Sequence, residues 1–112
     1  LEKVSRPGIL SGPTYQITTG CGHLYITVNG NGDGRPIEVI SRLGKSGECS
    51  KCQNEALGRI VSLGLRWGVP SEEISKELAN IWCPSPGLSA DKCKSCPDGM
   101  AIALRRFVGD GH

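Results

Sequence analysis

The sequence predicts an α+β fold in which a three-stranded antiparallel meander is followed by three helices packed on one face of the sheet. Three observations support this prediction. β-Branched and aromatic residues alternate with polar ones between residues 14 and 41. A glycine- and asparagine-rich run separates two of these segments. Apolar residues then recur at helical spacing through the second half of the 112-residue chain.

The three strands are predicted from composition and from the turns between them. The first two are separated by Gly20-Cys21-Gly22, and the last two by the run 29–34, where Asn and Gly tolerate the positive φ of tight hairpins. Pro36 begins the third strand, where no ladder donor is needed. The predicted strands cover residues 15–19, 24–28 and 36–41. We expect residues 1–13 to form an irregular arm or linker, 14–108 a single domain, and 109–112 a tail.

Each predicted helix has a start signal, and the first helix is predicted to stop at Gly68. Ser50 with Gln53 has the spacing of a capping box, Ser71 precedes two glutamates, and Ser95 precedes Asp98 by three residues. We expect the apolar stripes of these helices to be buried. The stripes are Ala56, Leu57, Ile60, Val61, Leu63, Gly64 and Trp67 in the first helix, Ile74, Leu78 and Ile81 in the second, and Met100, Ala103, Leu104, Phe107 and Val108 in the third.

Composition excludes several classes of protein. The net charge of +2 and the aromatic content of 4% give only weak support for nucleic-acid binding. No apolar run approaches the length of a membrane span. The run Gly30–Gly34 lacks the following helix that a phosphate-binding loop requires. The chain begins with Leu1 and has its only methionine at Met100, so we expect it to be part of a longer protein or a processed product.

Six cysteines are predicted to meet at one end of the fold, because each lies at a turn or helix end that antiparallel chain reversal brings to the same side. They are Cys21, Cys49, Cys52, Cys83, Cys93 and Cys96. Four thiolates bind zinc tetrahedrally, and a C-x-x-C at a helix start supplies two of them. Residues 49–52 and 93–96 both have this spacing, with a longer gap between them than in zinc ribbons. A thiol–disulfide site, or a disulfide framework or buried free thiols, are the alternatives.

The stretch Lys94–Leu104, KSCPDGMAIAL, resembles the signature of the TSCPD domain. Further similar segments occur in the same order along nearly the whole chain: Arg6-Pro7, Gly12-x-Thr14-Tyr15, Thr19-Gly20-Cys21-Gly22-x-Leu24-Tyr25-x-Thr27-Val28-Asn29, Gly44-Lys45-Ser46-Gly47-x-Cys49, Glu55-Ala56-x-Gly58-Arg59 and Ser62-Leu63. Such domains occur near the C-terminus of adenosylcobalamin-dependent (class II) ribonucleotide reductases and in small stand-alone proteins. The Arg-Pro arm and the Gly-Lys-Ser-Gly segment are most similar to the reductase-attached kind.

The resemblance implies a ligand set and a role. Its cysteine positions correspond to Cys21, Cys49, Cys83 and Cys96, and Cys52 and Cys93 are alternates that depart from the family pattern. It implies an accessory C-terminal domain, stabilised by zinc and not catalytic alone, of a vitamin B12-dependent ribonucleoside-diphosphate reductase. Adenosylcobalamin would belong to the parent enzyme only, and the catalytic domain of that enzyme would be the partner. We therefore expect a cytoplasmic protein with no membrane partner.

Two other functions stay open at this stage. One is a zinc-containing module that binds nucleic acid or a nucleotide, for which Lys45, Lys51, Arg59 and other basic residues supply charge. The other is a thiol–disulfide redox relay through the C-x-x-C formed by Cys93 and Cys96. A homo-oligomer is a further partner hypothesis.

Overall fold

The computed structural model describes residues 2–20, 22–44, 48–83 and 93–110. Three antiparallel strands are followed by three helices, which confirms the predicted α+β class. The strands are β1 (Thr14–Thr19), β2 (Gly22–Gly30) and β3 (Pro36–Leu43), and the helices are α1 (Glu48–Arg66), α2 (Ser71–Leu78) and α3 (Cys96–Asp110). Helix α3 thus continues two residues into the predicted tail.

The hairpin between β2 and β3 forms where the sequence predicts it. Gly32 and Gly34 adopt φ of 95° and 84°, a region that side chains with a Cβ rarely occupy. The Asn31 side-chain oxygen accepts the Asp33 N–H at 3.0 Å, which closes the turn. The sheet order is β1-β2-β3. Cys21, at the predicted turn between β1 and β2, lies outside the described residues, as do residues 84–92.

The two faces of the sheet differ in composition. One face buries Ile17, Leu24, Ile26, Val28 and Leu43 against α1 and α3. Helix α2 packs mainly on α3. Helix α3 contributes to this core through the predicted residues, and we find Met100, Ala103, Leu104 and Phe107 buried. The opposite face is exposed at alternating positions of all three strands, and we call it the open sheet face.

Helix α1 does not bury the face that hydrophobic periodicity predicts. Ile60, Leu63 and Trp67 keep 67%, 39% and 41% of their surface exposed, so the prediction that they are core residues is wrong. Val61 is buried as expected and Leu65 is buried with it, but the other residues that α1 buries are polar or small, namely Asn54, Gly58 and Ser62. Ser50 is not the N-cap, because α1 already begins at Glu48.

The cause is the position of α1 against the outer edge of β3. The Ser62 hydroxyl accepts the Val39 N–H at 2.8 Å and donates to the Val39 carbonyl at 3.1 Å. One turn earlier, Gly58 allows the helix backbone to approach the same carbonyl. An edge strand that is covered must have its backbone groups paired, so this side of α1 is polar. The helix ends at Arg66, close to the predicted stop at Gly68, whose φ of 95° belongs to a left-handed C-terminal cap.

Helix α2 is shorter than its predicted stripe. It ends at Leu78, and Asn80 has a φ of 64°, which turns the chain out of the helix. Ile81 therefore lies beyond α2 and is 44% exposed, so its prediction as a buried residue of that helix is wrong.

Candidate functional site

Three parts of the chain meet around one cavity of about 340 Å³. They are the first turns of α1, the segment 81–83, and the start of α3. Each contributes one of the cysteines predicted as zinc ligands: Cys49, Cys83 and Cys96. We call this the cysteine cavity. Its other walls are Ser50, Gln53, Asn54, Leu57, Ile81, Trp82, Ser95 and Pro97.

A capping network fixes the start of α3 and the segment beside it. The Ser95 hydroxyl accepts the Asp98 N–H at 3.1 Å, which confirms the predicted cap. The buried Asp98 carboxylate accepts the backbone N–H groups of Lys94 at 3.0 Å and Asn80 at 2.8 Å. The Cys83 N–H donates to the Lys94 carbonyl at 3.0 Å. The backbone of Cys83 is therefore tied to the residues that lead into α3.

The two alternate cysteines lie elsewhere. Cys52 is exposed on α1, where its thiol donates to the Cys49 carbonyl at 3.3 Å, and it does not line the cavity. Cys93 is 2% exposed, belongs to the hydrophobic core, and donates its thiol to the Ser95 carbonyl at 3.0 Å. A relay through Cys93 would need a thiol that reagents and partners reach, and burial opposes that. None of the five described cysteines forms a disulfide with another described residue.

The donor chemistry of the cysteine cavity suits zinc, because thiolates are among its preferred ligands and a pair of cysteines at a helix start is a common source of them. Two of the three cysteines in the cavity lie in the first turn of a helix. Among the described residues, however, no three Cys, His, Asp or Glu side chains are close enough to hold an ion. Cys21 lies outside that part of the chain. The four-cysteine ligand set stays a prediction.

An apolar and aromatic wall of this cavity was missed by sequence reasoning. Trp82 is 67% exposed, and the Lys94 ammonium lies 5.2 Å from the centre of its ring. This is the distance of a cation–π contact. Hydrophobic periodicity gave no signal for Trp82, because the residue follows the end of α2 instead of lying on a helix face.

A second surface follows from the unexpected orientation of α1. Ile60, Leu63 and Trp67 form an exposed apolar row along the helix, which we call the α1 stripe. A groove beside it is lined by Ile60, Leu63 and the half-exposed Ile40 of β3. The groove also contains the Arg66 side chain, whose Nε–H is buried without a hydrogen-bond acceptor in the described part of the structure.

The N-terminal arm is fastened beside this groove. The Val4 N–H donates to the Arg66 carbonyl at 2.8 Å. Arg6 forms a two-point ion pair with Glu38, which also accepts a hydrogen bond from Asn29 at 2.8 Å. The Arg6 hydrogen bond is the main cause that lowers the pKa of Glu38 below its ordinary value, and partial burial opposes it. The same hydrogen bond raises the pKa of Arg6.

None of the helices in the described part of the chain is both long and apolar enough to cross a membrane. The chain matches no curated protein and no solved structure. The family model of the TSCPD domain matches residues 2–108, which is nearly the whole chain and includes the KSCPDGMAIAL stretch and the cysteine cavity. The chain therefore belongs to the TSCPD domain family.

Proposed function

We propose that the chain is an accessory, zinc-stabilised domain at the C-terminus of a cytoplasmic, B12-dependent ribonucleoside-diphosphate reductase. Membership of the TSCPD family supports this proposal, together with the Arg6-Pro7 arm and the Gly44–Gly47 segment, which are similar to the reductase-attached members. The domain acts in deoxyribonucleotide synthesis through contact with the catalytic part of the enzyme and is not catalytic alone. Adenosylcobalamin belongs to that catalytic part, since radical chemistry needs a shielded cavity much larger than this domain provides.

The observation that carries the zinc proposal is the convergence of Cys49, Cys83 and Cys96 on one cavity. These residues are far apart in the sequence, and an ion held by them joins α1, α3 and the segment 81–83. Cys21 is the fourth ligand in this proposal. Binding draws the thiolates together to Zn–S distances of about 2.3 Å. The metal has a structural role here, because four thiolates leave no open position for a substrate.

Metal content tests this part of the proposal. Elemental analysis of the purified chain is expected to give about one zinc per chain, and a chelator is expected to lower the melting temperature. Cys96→Ser is expected to lose most of the zinc. Cys52→Ser is the control, because Cys52 lies near the start of α1, three residues after Cys49, but does not line the cavity. Metal-free wild-type protein with six titratable thiols, or equal zinc loss in both variants, would contradict the proposal.

The α1 stripe supports a role through contact with a partner. Large exposed apolar side chains that lie together on a soluble domain mark interaction sites, and this row lies beside the groove that contains the Arg66 side chain. We assign the stripe to the catalytic part of the parent reductase. The contacting surface is an apolar one that carries a carboxylate, because such a group pairs with the Arg66 guanidinium that lines the groove.

Binding and activity of the intact reductase test the assignment. Ile60→Glu is expected to lower nucleotide reduction by the intact enzyme and to weaken binding of this chain to the separate catalytic part by tenfold or more. Ile9→Glu is the control, because Ile9 is 90% exposed on the arm and does not line this groove. Unchanged binding and unchanged activity in Ile60→Glu would show that the partner contacts another surface.

A further inference from the structure

A second cavity, of about 660 Å³, lies where the open sheet face meets the first turns of α1. None of the five described cysteines lines it. Tyr25 of β2 and Arg42 of β3 line it from the sheet, and Lys51 and Glu55 line it from the helix. We call it the sheet-face cavity. Its remaining lining residues are Thr14, Ser41, Leu43 and Gly44.

The Tyr25 ring provides an aromatic surface in this cavity. It keeps 37% of its surface exposed although it lies in the central strand. Gly44 lies beside the ring, since a Cβ at that position would be in ordinary van der Waals contact with the Tyr25 Cε2 atom at 3.5 Å. The Gly44 N–H donates to the His23 carbonyl at 2.9 Å, and this bond holds the end of β3 beside the ring. Aromatic rings on open sheet faces stack on planar ligands.

Positive charge surrounds the ring. Arg42 is the direct cross-strand neighbour of Tyr25, and Lys51 approaches from α1. Neither side chain forms a salt bridge in the described part of the chain. The one carboxylate among the lining residues, Glu55, is already paired with Arg59 at 2.9 Å. Two cations that form no salt bridge with another described residue, beside an exposed ring, match a ligand that combines a planar base with a negative charge.

We propose that the sheet-face cavity binds a nucleoside phosphate, with the base stacked on Tyr25 and the phosphate held by Arg42 and Lys51. The ligand is either a free nucleotide or one unit of a single-stranded nucleic acid, which share this chemistry. The low aromatic content of the chain is compatible with a site for one nucleotide, because stacking of one base needs only one aromatic ring. The site is independent of zinc and of the proposed parent enzyme, because none of its residues lines the cysteine cavity.

Calorimetric titration of the full chain tests the proposal with four probes: AMP, adenosine, inorganic phosphate, and an octamer of deoxythymidine. AMP is expected to bind more tightly than adenosine or phosphate, since of these three only AMP combines a base with a phosphate. Binding is expected to weaken as salt is raised. Tighter binding of the octamer than of AMP identifies a strand as the ligand, and the reverse identifies a free nucleotide. Absence of binding by both AMP and the octamer at millimolar concentration overturns the proposal.

Substitutions locate the site. Tyr25→Ala is expected to weaken binding at least about fivefold, whereas Tyr25→Phe preserves the stacking surface and binds like the wild type. Arg42→Glu is expected to abolish binding. Because Arg42 is exposed, this variant is expected to keep the fold of the chain, which circular dichroism checks. Arg105→Glu, at an exposed position of α3 outside this cavity, is the control for net charge. Equal effects of Arg42→Glu and Arg105→Glu, or unaltered binding in Tyr25→Ala, would overturn the proposal.

Discussion

Two glycines of α1 are expected to respond in opposite directions to the same substitution. Replacing an interior helical glycine by alanine stabilises a helix by up to about 1 kcal/mol, provided that the new methyl group fits. At Gly64 the new Cβ would lie 3.6 Å from its nearest neighbour, the Ile74 Cδ1 atom, which is ordinary van der Waals contact. At Gly58 it would lie 3.1 Å from the Val39 carbonyl oxygen. That oxygen cannot easily move, because Ser62 holds both backbone groups of Val39.

The expected magnitudes follow from these distances. Gly64→Ala stabilises the chain by about 0.5–1 kcal/mol. Overpacking at Gly58 costs about 1–3 kcal/mol, which exceeds or cancels the gain in helix propensity and leaves Gly58→Ala neutral to about 2 kcal/mol less stable. Urea unfolding followed by circular dichroism measures both variants, and equal m-values confirm that only stability changed. An equal stabilisation of both variants would refute the close approach of α1 to β3.

Three other contacts lead to predictions about the stability of variants. Ser62→Ala is expected to cost about 1–3 kcal/mol in urea unfolding, because the Val39 N–H loses its acceptor in a buried position. Asp98→Ala is expected to lower the free energy of unfolding by about 1–3 kcal/mol for each of the two backbone N–H groups that it leaves unpaired. The folded pKa of Glu38 lies below the ordinary value of 4.5, so its contribution to stability is complete above that value and is lost as the pH falls through the folded pKa. Melting temperatures are therefore expected to fall less steeply on acidification in Glu38→Gln than in the wild type, and parallel curves would contradict the role of the Arg6 ion pair.

Three parts of the fold that depend on local chemistry could be predicted from the sequence. The run 29–34 specified a hairpin because its glycines take positive φ. Gly68 specified the end of α1 for the same reason. The spacing of Ser95 and Asp98 specified the start of α3, where the hydroxyl accepts the predicted backbone N–H. Each of these signals involves groups only a few residues apart, so no knowledge of the tertiary structure was needed.

The orientation of α1 could not be predicted in the same way. Periodicity assigns apolar side chains to the core, but Ser62 and Asn54 are buried because the outer edge of β3 presents polar groups to them. Ser62 pairs with the backbone of Val39, and Asn54 with the hydroxyl of Ser41. The need for polar partners on this side of α1 is visible only once the position of the helix beside β3 is known. The apolar residues Ile60 and Trp67 are left facing outward as a consequence.

The choice among cysteines depended on tertiary structure as well. The C-x-x-C spacing treats Cys93 and Cys96 as equivalent members of a pair. The structure separates them, because Cys93 is buried in the core below Gly99 while Cys96 lines the cysteine cavity. Spacing along the chain shows that two cysteines are close, but not where their side chains point. The side-chain direction decides which thiols can bind the same ion.

The most direct test of the proposed metal centre is the X-ray absorption spectrum of the purified chain at the zinc edge. We expect a single shell of four sulfur atoms at about 2.3 Å. In the Cys96→Ser variant this shell is expected to lose a sulfur or the metal to be absent. A shell of nitrogen and oxygen neighbours in the wild type, or a four-sulfur shell that persists in the variant, would contradict the assignment of the cysteine cavity as a zinc site.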